Sequence, residues 1–283
     1  MGKYDSDTKY IDLRKIIAES NSAFLKKLPG FVVGLLIKIV RQNELNHVMT
    51  KYSGYSGVSF LPKLKEELNL NFEIEGIENL PENGKCFFAA NHPFGLVDGL
   101  TLTYIVSQKY GTLKAIGNEA FMFVPHLRPL IAAVNVFGKS PKEYLQALDD
   151  TFNSDTPITH FPAGLISRRI DGKVQDSEWQ KSFIAKAVSS KRDIVPFYFY
   201  GTNSWLFYAI DRVRQWFGIK VSVELILLSR EMFRKRNKTI RVRIGKPIPY
   251  TTFDKSRSHH EWTIRVREHT YRLANGEDDT FIP

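Results

Sequence analysis

Hydrophobic and polar positions divide the chain into two regimes. Up to about residue 60 the apolar residues recur at helical spacing. Residues 11–25 (IDLRKIIAESNSAFL) read as one helix, a Lys26-Lys27-Leu28-Pro29-Gly30 break follows, and a second helix runs to about Gln42. The pair predicts a helical hairpin, basic at its turn and unusually apolar in its second arm. From about residue 70 the pattern changes to short apolar runs alternating with helical stretches. Strands are expected over 71–77, 85–90, 113–117, 132–137, 157–161, 194–200 and 239–245, and helices near 98–109, 141–150, 177–190, 203–217 and 257–274. This alternation predicts an α/β fold: a mixed, largely parallel central sheet flanked by helices, with the hairpin in front. The run IVPFYFY is apolar and aromatic on both faces, as a central strand is. There is no internal repeat, Gly/Ser linker or low-complexity block, so the expected division is a helical extension over 1–60 and one domain over 61–283.

Composition narrows the class. With 43% hydrophobic and 25% charged residues in 283, disorder, collagen and coiled coil are excluded. Forty Lys+Arg against 30 Asp+Glu leave a net charge of +10, which favours anionic partners: nucleic acid, anionic lipid or a phosphorylated substrate. One cysteine, Cys86, excludes an intramolecular disulfide and any Cys-rich metal site, and fits a reducing compartment. The first 25 residues carry no secretory signal pattern. The apolar stretch 28–40 (LPGFVVGLLIKIV) would reach only about 20 Å as a helix, against a hydrocarbon core of about 30 Å. It cannot span. Two readings of it stand: an amphipathic pair packed on the domain, or a surface-lying anchor flanked by Lys26, Lys27, Lys38 and Arg41.

The window CFFAANHPFGLVDGL carries the first chemistry. An apolar strand runs into Asn91-His92-Pro93-Phe94-Gly95, and a helix is expected from about Asp98. Ligands bind where strand ends and helix N-termini converge. Pro93 keeps His92 out of helical geometry and Gly95 permits a tight reversal, which lets imidazole and carboxylate face each other. A histidine held by a carboxylate is a good general base. No nucleophilic Ser or Cys accompanies the pair, so the proton removed would belong to a substrate hydroxyl. The plainer readings remain: Asp98 as a helix N-cap and His92 as a backbone-bonded loop residue. A second cluster, THFPAGLISRR, again leaves a strand end. Gly164 allows close backbone approach, and Arg168 and Arg169 offer guanidinium forks for phosphate or carboxylate, or simply a solvated surface. Further strand ends carry Gly138-Lys139-Ser140, Gly201-Thr202-Asn203 and Gly245-Lys246-Pro247. His160 reads as a packed histidine, and His259-His260-Glu261 lacks metal-ligand spacing.

These pieces, in this order over about residues 70–250, resemble the glycerolipid acyltransferase superfamily, which contains the 1-acylglycerol-3-phosphate acyltransferases. The spelling NHPFGLVDG with FPAGLISRR resembles a divergent bacterial hemolysin-like branch that includes O-acyltransferases making ornithine or glycine lipids. Two departures stand out: five residues instead of four separate His92 from Asp98, and Ala163 replaces the usual Glu. The resemblance implies His92 as general base and Asp98 as its orienting partner. It implies Arg168, with Arg169 and Gly164 in the same motif, as the anion-binding element, and Lys139 as the basic residue of the second motif.

The implied reaction moves a fatty acyl group from acyl-carrier protein or coenzyme A to a lysolipid hydroxyl, in membrane lipid biosynthesis. It needs no acyl-enzyme, metal or redox cofactor. Residues 211–246 hold eleven Lys/Arg against three Asp/Glu, which predicts peripheral attachment to the anionic, cytoplasmic face of the inner membrane, or an acidic carrier protein as partner. A basic nucleic-acid-binding protein is the rival reading, and the lack of a helix-turn-helix, zinc-finger or RNA-recognition signature speaks against it. A third is a lipid-binding protein of the same fold without catalysis.

Overall fold

The computed structural model describes residues 9–20, 26–118, 121–122, 124–134, 142–218, 223–276 and 279–283. The N-terminal part is helical: α1 (Leu13–Glu19), capped by Asp12, then α2 (Gly30–Val40), α3 (Gln42–Lys51) and α4 (Phe60–Glu67). Arg41, in a left-handed conformation, breaks α2 from α3. The first helix is shorter than the spacing predicts: Ser20 is extended and ends it. Residues 21–25 lie outside the described part. No helix among the described residues is long and apolar enough to cross a membrane.

Seven strands form the main sheet: β1 (Asn71–Glu75), β2 (Cys86–Ala90), β3 (Lys114–Asn118), β4 (Ile131–Val134), β5 (Ile158–His160), β8 (Asp193–Phe199) and β9 (Thr239–Ile244). Between β5 and β8 a small hairpin, β6 (Arg168–Ile170) and β7 (Lys173–Gln175), stands apart. The sheet order is β1-β9-β8-β2-β5-β3-β4, parallel throughout except where β8 meets β9. The largely parallel α/β expectation is met. Crossovers are supplied by α5 (Val97–Tyr110), α6 (Lys142–Asn153) and α7 (Ser182–Ser189). Helices α8 (Trp205–Trp216), α9 (Leu228–Arg234) and α10 (His259–Arg272) complete the frame.

Strand alternation decides which layer each residue joins. Cys86, Phe88 and Ala90 of β2 pack with Leu102, Val106 and α4 residues Leu61 and Leu64. Phe87 and Ala89, pointing the other way, pack with Phe183, Ile184, Trp262 and Val266. Because β2, β5 and β8 run parallel, their C-terminal ends lie along one edge. Asn91 locks two of those ends: its amide donates to the Phe199 carbonyl at 3.0 Å and accepts from the Phe199 N–H at 2.7 Å.

Four elements escape the pattern reading: α3, α4, α9 and the β6–β7 hairpin. The hairpin strands are polar, which hides their alternation. Their turn is nevertheless written in Asp171-Gly172, both at positive φ, the two-residue turn that suits a twisted hairpin.

Arg192 is fully buried and ties the chain after α6 to the start of β8. Its guanidinium donates to the carbonyls of Phe152, Thr151, Thr156 and Ser154. Arg192→Met strands these acceptors in the interior. The expected result is a loss of about 3 kcal/mol in urea unfolding, with an unchanged m-value.

Candidate active site

His92 leaves β2 two residues past its end, and the Pro93–Leu96 turn returns the chain into α5. The turn closes because Gly95, at φ 87°, brings the backbone against Ile166: a Cβ there would lie 2.6 Å from the Ile166 Cδ1. Gly201, at φ 126°, does the same after β8, where a Cβ would meet the Phe94 ring at 2.6 Å. These glycines stand where the loops after β2, β5 and β8 touch.

Asp98 is completely buried in the first turn of α5. It is not the N-cap; that position is Leu96. Its carboxylate turns back to the loop: Oδ2 accepts from the N–H groups of Phe94 at 2.8 Å and Gly95 at 3.2 Å, and Oδ1 from Gly99 at 2.8 Å. The same Oδ2 lies 3.2 Å from His92 Nδ1. The expected imidazole–carboxylate pair therefore exists, and the additional residue between them is taken up by the turn that Asp98 itself ties. The His92 ring stacks on Phe161, centroids 3.8 Å apart and planes at 24°, so its plane is fixed from the β5 side. With 15% of the side chain exposed, the ring sits at the rim, and no hydrogen bond among the described residues engages Nε2.

The backbone of His92 is held by the third-motif region. Its carbonyl accepts from Ser167 N–H at 2.8 Å, and its N–H donates to Asp176 Oδ1 at 3.1 Å. Asp176 is the functional residue that the pattern reading misses. Its carboxylate also accepts from the Ser167 hydroxyl at 2.5 Å and the Trp179 indole N–H at 2.9 Å. Its own N–H donates to the Tyr271 hydroxyl at 2.7 Å. Burial raises its pKa, opposed by the hydrogen bonds from Ser167, Trp179 and His92. An isolated Asp between two polar residues carries no spacing that marks it; only the fold brings it under the histidine.

The other sequence candidates fall as follows. Gly164, at φ 67°, is exposed and closes a turn with its N–H on the Phe161 carbonyl at 2.9 Å. Arg168 is turned inward. It pairs with Glu224 at 2.6 Å and Asp211 at 3.5 Å, and lies 5.3 Å above the Phe207 ring. Arg214 closes the network with Asp211 at 2.7 Å and Glu224 at 2.9 Å, giving two cations and two anions largely out of water. Arg169 is exposed. Lys139 lies outside the described residues. Lys235, not singled out by the spacing, holds its ammonium 4.2 Å above Phe94, donates to Thr202 O at 3.0 Å, and is pushed below its ordinary pKa by burial. The Cys86 thiol is buried in β2 and pushed up to about 12, so it is no thiolate nucleophile at neutral pH. His259 and His260 begin α10 behind a Ser258–Glu261 capping box.

A rim histidine backed by a buried carboxylate, at the carboxyl ends of parallel strands and with no free Ser or Cys beside it among the described residues, is an arrangement suited to proton transfer. Residues 15–280 match the family model described as Acyltransferase, so the chain belongs to that family, within the glycerolipid acyltransferase superfamily, and is an acyltransferase. It is 39% identical over 270 residues to the lyso-glycine lipid O-acyltransferase of Phocaeicola vulgatus, covering 95% of this chain and 97% of the relative. To the lyso-glycine lipid O-acyltransferase of Bacteroides thetaiotaomicron it is 40% identical over 270 residues, covering 95% and 99%. Among solved structures it is similar to the 1-acyl-sn-glycerophosphate (LPA) acyltransferase PlsC from Thermotoga maritima. That likeness has 18% identity and a TM-score of 0.48, over 86% of this chain and 89% of that one.

Two outcomes follow from this arrangement. Asp176→Asn replaces one acceptor oxygen by a donor facing donors, and is expected to lower kcat roughly tenfold or more while KM changes little, because the base is displaced and not removed. His160, packed between Phe87 and Phe183, is pushed from its ordinary 6.5 down to about 4 by burial and by neighbouring His92. As pH falls from about 6.5 to about 4 the unfolded chain takes up a proton that the folded one refuses, so this residue's contribution to stability is lost across that window. Melting curves should show a shallower decline over it for His160→Gln than for the wild type.

Proposed function

We propose that the chain transfers a fatty acyl group from a thioester to the hydroxyl of a lysolipid, and that this lysolipid is a glycine lipid lacking one chain. The acceptor assignment rests on the two relatives, which carry that activity in their names over nearly their whole length. The chemistry rests on one observation: His92 Nδ1 lies 3.2 Å from the fully buried Asp98 carboxylate.

In this reaction His92 Nε2 accepts the hydroxyl proton as the substrate oxygen attacks the thioester carbonyl. Asp98 holds the tautomer and favours the imidazolium that forms. The tetrahedral oxyanion is met by main-chain N–H groups beside Gly164, whose own N–H is already engaged. Removing one such donor commonly costs a few kcal/mol of barrier. Collapse breaks the C–S bond, and the imidazolium returns its proton to the departing sulfur. The products are an ester and a free thiol. The acyl donor is acyl-carrier protein or coenzyme A, and no metal or redox cofactor takes part.

The lysolipid's anionic head is read by Arg169 and, in the second motif, Lys139. Arg168, already paired with Glu224 and Asp211, holds the shape of the loop that carries Arg169 and acts on the head group from behind it. The protein works peripherally at the cytoplasmic face of a bacterial inner membrane, where the lysolipid resides and a cytosolic thioester donor has access. Supporting this, α2 turns Phe31, Leu35 and Lys38, one helical face by their spacing, toward solvent.

Purified protein assayed with acyl-carrier-protein and coenzyme A thioesters against lyso-glycine lipid and lysophosphatidate identifies donor and acceptor together. His92→Ala is expected to lower kcat/KM by about three orders of magnitude and Asp98→Asn by about two, with melting temperatures showing that both fold. Folded variants turning over at the wild-type rate remove the pair from the chemistry.

A further inference from the structure

Among the described residues, two strongly exposed tryptophans stand on α8, with an exposed phenylalanine just after it. Trp205 is 80% exposed, Trp216 81% and the following Phe217 64%, and Val213 lies half in water. Trp205 and Trp216 are eleven residues apart, three helical turns, so they stand on one side about 16 Å apart. Arg212 lies between them on that side, exposed and without an ion pair among the described residues. The opposite face of α8 is anchored: Phe207 and Tyr208 share a small buried cluster with Ile166 and Leu227, against which Ile39 of α2 also packs. The exposed faces of α2 and α8 are thus presented on the outside of one cluster, and Ile226 in the turn between them is exposed as well. Exposed tryptophans at both ends of a short amphipathic helix, with a cation between them, fit the zone where lipid head groups meet acyl chains.

We infer that the outer face of α8 is a second bilayer contact which, with Phe31, Leu35 and Lys38 of α2, seats the protein on an anionic membrane surface. The inference builds on the peripheral reading above and adds the face and the orientation. Charge complementarity selects the partner. Arg168 and Arg214, inside the cluster, are neutralised by Asp211 and Glu224, whereas Lys26, Lys27, Lys38 and Arg212 are exposed and carry no ion pair among the described residues. Of these, Arg212 lies on the aromatic face of α8 and Lys38 on the exposed face of α2. The site lies one layer behind it: Ile166 precedes Ser167, which is bonded to His92, and the loop leading into α8 touches Phe94 through Gly201. A lysolipid need only rise a short way from the leaflet to bring its hydroxyl to the imidazole.

The tryptophans provide their own probe. Of four in the chain, Trp179 and Trp262 are 1% and 2% exposed, so quenching by acyl-brominated lipid reports Trp205 and Trp216. With the full chain and vesicles of phosphatidylcholine containing phosphatidylglycerol, brominated lipid is expected to quench. The Trp205→Ser/Trp216→Ser/Phe217→Ser variant is expected to bind at least about tenfold more weakly, and Arg212→Glu about fivefold more weakly, the latter on phosphatidylglycerol vesicles only. The triple variant should acylate a water-soluble short-chain acceptor at the wild-type rate. Binding without quenching, or unchanged binding by the triple variant, overturns the α8 assignment while leaving the peripheral reading in place. No binding to either vesicle overturns both. A dimer in sedimentation that the triple variant abolishes assigns the face to a second copy and overturns the proposal. Wild-type inactivity on the short-chain acceptor strikes at acyl transfer, not at the membrane face.

Discussion

Asp176 is the group on which the geometry of the site depends. A buried carboxylate is costly unless donors surround it, and this one gathers three: the His92 N–H, the Ser167 hydroxyl and the Trp179 indole. Each donor comes from a different stretch of chain, so satisfying the charge and joining the loop after β2 to the loop after β5 are the same event. The Ser167 N–H then reaches the His92 carbonyl and closes the junction. Asp98 faces the ring from below, but its hydrogen bonds are local, to Phe94, Gly95 and Gly99. One carboxylate shapes the turn that carries the histidine; the other fixes that turn against the rest of the sheet edge.

The strands and the crossover helices were legible because their signals are local. Alternation in β2 and the aromatic run of β8 follow from burial on both faces, and the His92–Asp98 pair follows from a turn that two residues, Pro93 and Gly95, enforce. What stayed hidden depends on distant partners. Arg168 read as a free guanidinium because its partners are distant in sequence: Asp211 and Glu224, more than forty residues on, are brought to it by α8 and the Val223–Leu227 turn, while the nearby Asp171 makes no ion pair with it among the described residues. Asp176 was missed for the same reason. The N-cap reading of Asp98 failed differently: helix α5 begins two residues earlier than its carboxylate indicates, and the side chain bonds backward.

Charge illustrates the same limit. The eleven cations of residues 211–246 look like one patch in sequence, yet much of the stretch is spoken for: Arg214, Arg230, Arg236, Arg241 and Lys246 all have carboxylate partners. Net charge is a property of the chain, whereas a surface potential is made by the cations left over after folding. Lys38 on α2 and Arg212 on α8 are two cations left without an ion pair among the described residues, and both stand on faces that carry exposed apolar side chains.

Among the described residues no free side-chain nucleophile lies beside His92, and the packing explains why. Cys86 faces the α5 layer, six residues before the histidine and along the strand away from the loop, with its thiol held near 12 by desolvation. Ser167, the nearest hydroxyl by chain contact, is committed to Asp176 at 2.5 Å. An imidazole at the rim, with Nδ1 toward a carboxylate and the Ser167 hydroxyl engaged by Asp176, is placed to exchange a proton with a molecule bound there. The proposed direct attack by an acceptor alcohol suits this arrangement, since a hydroxyl presented at the rim meets the imidazole without entering the sheet.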